Sequence, residues 1–281
     1  MAEVCRMNQV RRIILCWGVL MALPSFHAQV NVHLIGIMPT VDVGVPLGEH
    51  WSIENYTFAC VLPFEQTRPS FLNPTSTENY GPGSAAGESR SIRSLVFAYT
   101  EFDVTRTLSE SWSLTGSYTH EWVPLNSSVW GAGERYIRDE HRIWLQSKYK
   151  SKSDAGWAWW WRMRWDQRWI ETDPYEQTAA RWTSRPRLRE QLGFALPIGE
   201  TTLSGSSEVF VEAWDGGSSF SGIDRFREAW TTLQYGASIN ESVRWEAGPL
   251  VVSWKQFSDT ESLGWTHFWY LQATAFFKLG R

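Results

Sequence analysis

The residues of this chain best suited to chemistry are arginines and carboxylates that recur at every second position. Arg162, Arg164, Asp166 and Arg168 form one run, and Arg185, Arg187 and Arg189 form another. Glu140 with Arg142, Glu208 with Glu212, and Arg225 with Arg227 complete the set. A spacing of two puts each group on one face of a β-strand, because successive side chains of a strand point to opposite sides. Guanidinium groups meet carboxylates in two-point geometry, so such faces either attract anionic solutes or lock to one another. In a barrel of ten to twelve strands, long side chains reach across much of the lumen. That favours an interior ion-pair network, with an arginine-lined path for anions as the alternative.

His120 is the candidate general base. It would serve an outer-membrane acyl hydrolase if one of the following serines, Ser127 or Ser128, were its nucleophile. No histidine-serine-asparagine type of motif accompanies it and no third member is evident, so the competing reading is a histidine at a membrane interface. His33, His50, His141 and His267 lack metal-ligand spacing. The chain has no phosphate-binding loop, dinucleotide fingerprint or nucleophile elbow. No catalytic residue, metal or cofactor is therefore expected.

These side chains need strands to position them, and the sequence supplies period-two stretches throughout. In 111–122 one face carries Trp112, Leu114, Gly116, Tyr118, His120 and Trp122, while the other carries serines, threonines and Glu121. In 157–170 the arginine run alternates with Trp157, Trp159, Trp161, Met163, Trp165 and Trp169. Further strands are expected over 33–45, 51–62, 91–105, 136–149, 181–196, 201–214, 223–237, 243–257 and 264–278. Most exceed the ~5–6 residues usual in soluble sheets and suit a tilted membrane strand, which needs about 9–11 in lipid.

Short turns at Pro46–Glu49, Thr107–Glu110, Pro197–Glu200 and Ile239–Ser242 alternate with long polar connections, the longest being 63–90. Such asymmetry is that of outer-membrane barrels. Val41–Ile53 also echoes Phe102–Leu114, as one hairpin design used twice. These strands number eleven, whereas bacterial barrels have an even number. Either 33–45 is not a membrane strand, leaving ten, or one more strand exists, making twelve.

Composition agrees with a two-faced chain. There are 19 Trp, 9 Tyr and 14 Phe in 281 residues, with a net charge of −4. Mean hydropathy is slightly negative. A helical membrane bundle would be more apolar, and a nucleic-acid binder would carry more basic charge. Trp112, Tyr118, Trp122, Trp157 and Trp169 are expected in aromatic girdles at the lipid boundary. Trp112 and Trp122 lie about 25 Å apart along the membrane normal at ~3.3 Å per residue and a tilt near 40°, which matches the apolar band of a bacterial barrel.

The N-terminus reads as a secretory signal over 1–28, with Arg6, Arg11 and Arg12 before the apolar run Ile13–Leu23. Removing it takes Cys5 and Cys16, leaving Cys60 without an intrachain partner.

From about residue 92 to 278 the chain resembles an uncharacterised family read as outer-membrane β-barrels, domain of unknown function 2490. The resemblance rests on R-M-R-W-D-Q-R-W at Arg162–Trp169, R-P-R-L-R at Arg185–Arg189 and S-E-V-F at Ser207–Phe210. It continues with I-D-R-F-R at Ile223–Arg227 and W-E-A-G-P-L at Trp245–Leu250. This chain departs from the pattern with Asp166 where the family often has Glu, and with Pro186 inside its arginine run. After the last strand, Phe276 and Phe277 are followed by a short basic tail to Arg281, which displaces the terminal aromatic expected as an assembly signal. The resemblance implies a fold and a location and no activity.

The expectation is an all-β antiparallel transmembrane β-barrel of about 10–12 strands over 29–281, in the bacterial outer membrane. Its partners would be outer-membrane lipids and, during biogenesis, the barrel-assembly machinery, with no nucleic acid. It would be structural or a passive small-solute channel. The alternatives are a lipid hydrolase built on the His120 region and a secreted soluble Trp-rich binding module.

Overall fold

The computed structural model describes residues 31–68, 90–126, 135–171, 182–213, 226–257 and 262–280. The expected signal segment, most of the 63–90 loop, Ser127, Ser128 and Arg225 lie outside the described residues. Among the described residues there is no helix, and the strands form one sheet. Its strands are β1 (Asn31–Pro46), β2 (Trp51–Arg68), β3 (Arg90–Thr107), β4 (Trp112–Asn126), β5 (Arg135–Lys152) and β6 (Ala158–Glu171). They continue with β7 (Trp182–Ser184), β8 (Arg187–Ile198), β9 (Thr201–Glu212), β10 (Phe226–Ser238), β11 (Val243–Phe257) and β12 (Ser262–Lys278). Neighbours in sequence are neighbours in the wall, and β12 returns to β1, so the sheet closes into a barrel. β7 and β8 both pair with β6 and share one place, giving an eleven-strand barrel.

Closure is where the barrel differs from a wholly antiparallel design with an even count. Hairpin connections reverse direction at each step, so with eleven strands the first and last run the same way. β1 and β12 accordingly pair in parallel, from Asn31↔Trp265 to Gly44↔Lys278, while every other pair is antiparallel. The stretch 33–45, which the even-number rule put in doubt, is a full member of the wall. Parallel pairing is slightly weaker per residue than antiparallel. Here it is reinforced at its end, where the Leu279 N–H donates to the Gly44 carbonyl at 2.8 Å. Leu34 and Met38 of β1 reinforce it from inside, buried in the interior.

The strand expected over 181–196 is broken at Arg185 and Pro186. Proline has no N–H to give to a ladder. The break is bridged on both sides: the Arg185 N–H donates to the Arg168 carbonyl, and the Pro186 carbonyl accepts from Ala213 N–H, each at 2.9 Å. The four expected short turns all connect neighbouring strands at one end of the barrel, two of them with a glycine at positive φ, Gly48 and Gly199. A fifth stands at 153–157, closed by a 2.9 Å bond from Ser153 N–H to the Trp157 carbonyl.

Alternation divides inside from outside on strands such as β5 and β12. On β5, Arg138, Glu140, Arg142 and Trp144 are buried, while Ile137, Ile143 and Leu145 are exposed. On β12, Phe268, Tyr270, Gln272 and Thr274 are buried, while Trp269 and Leu271 are exposed.

Candidate functional site

The interior has two unlike halves. One half, on β4, β5, β6, β8 and β9 with Glu101 of β3, is ionic. Strand register explains why it must be a network. Asp166 stands opposite Arg187, but Arg164 stands opposite Arg189, Arg142 opposite Arg168, and Glu121 opposite Glu140. Like charges directly across a ladder repel, so each like-charged pair needs counter-ions from a further strand.

The side chains supply them. Asp166, fully buried at 0 % exposure, accepts from Arg187 at 2.9 and 3.2 Å and lies 3.7 Å from Arg189. Arg189 holds both oxygens of Glu208, at 2.8 and 2.9 Å, and Arg162 shares one of them at 2.8 Å. Arg168 grips Glu140 through two nitrogens, at 2.6 and 2.9 Å, and reaches Glu212 at 3.0 Å. Arg142 bridges Glu140 and Glu121, which resolves the clash of those two carboxylates. Arg187 extends to Glu228 at 3.3 Å. Arg164 donates to Glu101 at 3.1 Å and to Gln146 at 3.0 and 3.1 Å. Arg185 and Arg227 line the same cavity.

Desolvating such charges costs several kcal/mol each, recovered only when geometry is good and remaining donors are satisfied. Two-point contacts and shared carboxylates meet most of that condition, while Arg162 Nε, Asp166 Oδ1 and Glu212 Oε2 are buried without a hydrogen-bond partner.

The other half, on β1, β2, β3, β10, β11 and β12, is apolar. Leu34, Met38, Phe58, Cys60, Leu62, Phe97, Tyr99, Leu250, Val252, Trp254, Phe268 and Tyr270 form one buried cluster, with Trp230 packed against it. Its rings cross the barrel: Phe97 of β3 lies 6.3 Å from Trp230 of β10 and 6.2 Å from Trp254 of β11.

Guanidinium groups stacked on rings join the halves. Arg187 and Arg189 lie 4.6 and 4.4 Å from the Phe210 ring centroid, and Phe210 lies 5.8 Å from Trp230. Arg164 lies 3.5 Å over Trp144. Such contacts strengthen when desolvated, to about 2 kcal/mol or more.

Sequence reasoning missed Glu101 as a hub, which accepts from Tyr99, Thr119, Trp144 and Arg164. Its parity with Phe97 and Tyr99 was the available signal. Glu228 was missed because a register shift between Phe226 and Glu228 breaks the period of two, and Trp144 because tryptophans were read as facing lipid; Phe210 shares the parity of Glu208 and Glu212. Among the described residues no cluster of His, Cys, Asp and Glu could hold a metal ion.

On the outer surface, Trp112 is exposed at the short-turn end and packs on Tyr149 at 5.1 Å. Trp157 lies in the turn before β6 at the same end, half-buried. Trp122 and Trp169, both half-buried, lie toward the opposite end. Tyr118 stands between the ends, exposed, with its hydroxyl 2.7 Å from His141 Nδ1. His120 stacks on His141, with ring centroids 4.6 Å apart, and its Nε2 lies 3.1 Å from Asp139. Asp139 is its polar partner among the described residues, so two of the three groups of a triad stand together there.

Residues 91–262 match the family model described as Protein of unknown function (DUF2490), from β3 through β11. No curated protein and no solved structure matches the chain.

Proposed function

The chain belongs to the DUF2490 family of proteins of unknown function, and on that premise we propose that it is a non-catalytic β-barrel of the bacterial outer membrane. In this reading it is a structural barrel whose narrow, ion-paired lumen gives small solutes a passive path. The observation that carries it is the inversion of the usual protein pattern. Arg142, Arg164, Asp166 and Glu140 are buried inside, while Leu145, Met163, Trp165, Leu192, Leu233 and Leu271 are exposed outside. Leu145 is 68 % exposed and Leu271 60 %. A water-soluble protein rarely leaves so continuous an apolar surface uncovered, whereas lipid accepts it. The lumen holds a cavity of about 510 Å³, the size of a small-molecule site.

Outer-membrane lipids would be its constant partners, and the barrel-assembly machinery would insert it after secretion. Membrane fractionation with heat-modifiable gel migration tests the reading. A barrel appears in the outer-membrane fraction and migrates differently when unheated. Protein found soluble in the periplasm or medium would favour a secreted module instead. Planar-bilayer recording tests the path: small, steady conductance is expected, and none in any salt would leave a purely structural barrel.

The His120–Asp139 pair is the one observation that favours a lipid hydrolase. That reading requires phospholipid cleavage that His120→Ala abolishes. The barrel reading expects no such activity in either protein.

A further inference from the structure

The cavity has two chemically different walls. Arg142, Arg162, Arg164 and Arg189 line one side, and Phe58, Phe97, Trp230, Leu250 and Trp254 line the other. The arginines are unequally matched. Glu140, Glu212, Glu121 and Asp166 neutralise the group around Arg142, Arg168 and Arg187. Near Arg162 the supply is thinner. Glu208 serves both Arg162 and Arg189, the latter also 3.7 Å from Asp166; Glu101 serves Arg164, and Lys148 stands directly opposite Arg162 on β5. Arg162 lines the cavity and its side chain is 18 % exposed, against 9 % for Arg189 and 4 % for Arg164. An anion that reaches the exposed side of Arg162 adds negative charge where Glu208 is divided between two guanidinium groups.

The aromatic wall begins beside this cation. Glu208, which holds the Arg162 guanidinium, stands opposite Trp230 in the β9–β10 ladder. A ligand that satisfies both walls must carry an anionic group and a flat apolar body within a few ångströms of each other. We propose that the cavity binds small aromatic carboxylates, with the carboxylate on the open edge of Arg162 and the ring against Trp230 and Phe97. The proposal rests on the barrel reading above and names the solute class of that lumen. A simple anion would leave the ring wall unused. A neutral aromatic would bring Arg162 no second counter-charge, and an aromatic ammonium would meet Arg162, Arg164 and Arg189.

The test is calorimetric titration of the refolded full barrel in lipid nanodiscs with phenylacetate, alongside acetate, phenethyl alcohol and phenethylammonium. Heat-modifiable migration of the same sample establishes the barrel independently, so failure to bind and failure to form a barrel are separate results. Phenylacetate is expected to bind at least roughly tenfold more tightly than any of the other three, since a hydrogen bond to a charged group and a buried ring each carry that much. Arg162→Gln should weaken it roughly tenfold while folding normally, because Arg189 still holds both oxygens of Glu208. Arg162→Lys should fall between wild type and Arg162→Gln, keeping the charge and losing the fork. Trp230→Leu should weaken phenylacetate and leave acetate unchanged. Phenylacetate binding no tighter than acetate, or binding indifferent to Arg162→Gln in a folded barrel, overturns the proposal.

Discussion

The two halves of the interior are built on the same kind of wall and solve the same problem differently. Around the parallel β1–β12 seam, the space is filled by Leu34, Met38, Phe58, Phe97, Phe268 and their neighbours. Around β5, β6, β8 and β9 it is filled by guanidinium groups gripping Glu140, Asp166, Glu208 and Glu212. The outward faces of both halves are apolar and exposed: Ile35 and Leu271 beside the seam, Leu145 and Trp165 opposite it. The outer surface thus reports the barrel's surroundings. The inner surface reports how each half is held, and it can change character without changing the outside.

If the ionic half is held as a network, the largest losses come from breaking it at a shared carboxylate. Asp166→Ala should cost about 3–5 kcal/mol in urea unfolding from lipid vesicles, because Arg187 loses its closest partner while buried. The double change Asp166→Leu with Arg187→Met should recover most of that loss, since apolar residues of similar volume often replace buried pairs at little cost. Failure to recover would mean that the network specifies the fold as well as filling space. In the apolar half, Phe97→Ala should cost a similar ~3–5 kcal/mol. That loss should be indifferent to salt, and no second substitution across the lumen should offset it by charge.

The outer face gives the next effect. Leu145→Arg should cost about 2–4 kcal/mol if this position lies near the membrane midplane. In water the same surface change would stay within about 0.5 kcal/mol. Gly193→Ala should cost about 1–3 kcal/mol, because a methyl there would lie 2.1 Å from the Trp160 ring. Arg244→Ala should cost least, under about 1 kcal/mol, since its 2.7 Å contact with Glu246 involves a half-exposed guanidinium. It serves as the baseline for the buried pairs.

The ionic half was readable in the sequence and the apolar half was not, and the reason is physical. In 111–122 and 157–170 the inward residues are polar and the outward ones apolar, so alternation marks both faces. In 33–45 and 51–62 both faces are apolar: Leu34 and Met38 point inward while Ile35 and Ile37 point outward. Period-two contrast vanishes there, and with it any sign of which residues fill the lumen. The parallel seam was hidden for another reason. A local pattern locates strands, but closure depends on their total number, which the sequence left at ten or twelve. Pro186 was visible, yet only the bonds at Arg185 and Pro186 show that the ladder runs on around it. The hub role of Glu101 was hidden because its partners lie on β3, β4, β5 and β6, far apart along the chain.

The most direct test of the inverted barrel is spin-label accessibility in lipid vesicles. Cys60, buried and unpaired, is replaced by alanine, and labelled cysteines are placed singly along β5 and β6 at Ile143, Leu145 and Met163, and at Gln146. Labels at 143, 145 and 163 should collide with oxygen dissolved in the bilayer and be shielded from a water-soluble nickel chelate, while the label at 146 should be shielded from bilayer oxygen. Outward labels that meet the nickel chelate as freely as an exposed loop would contradict the account.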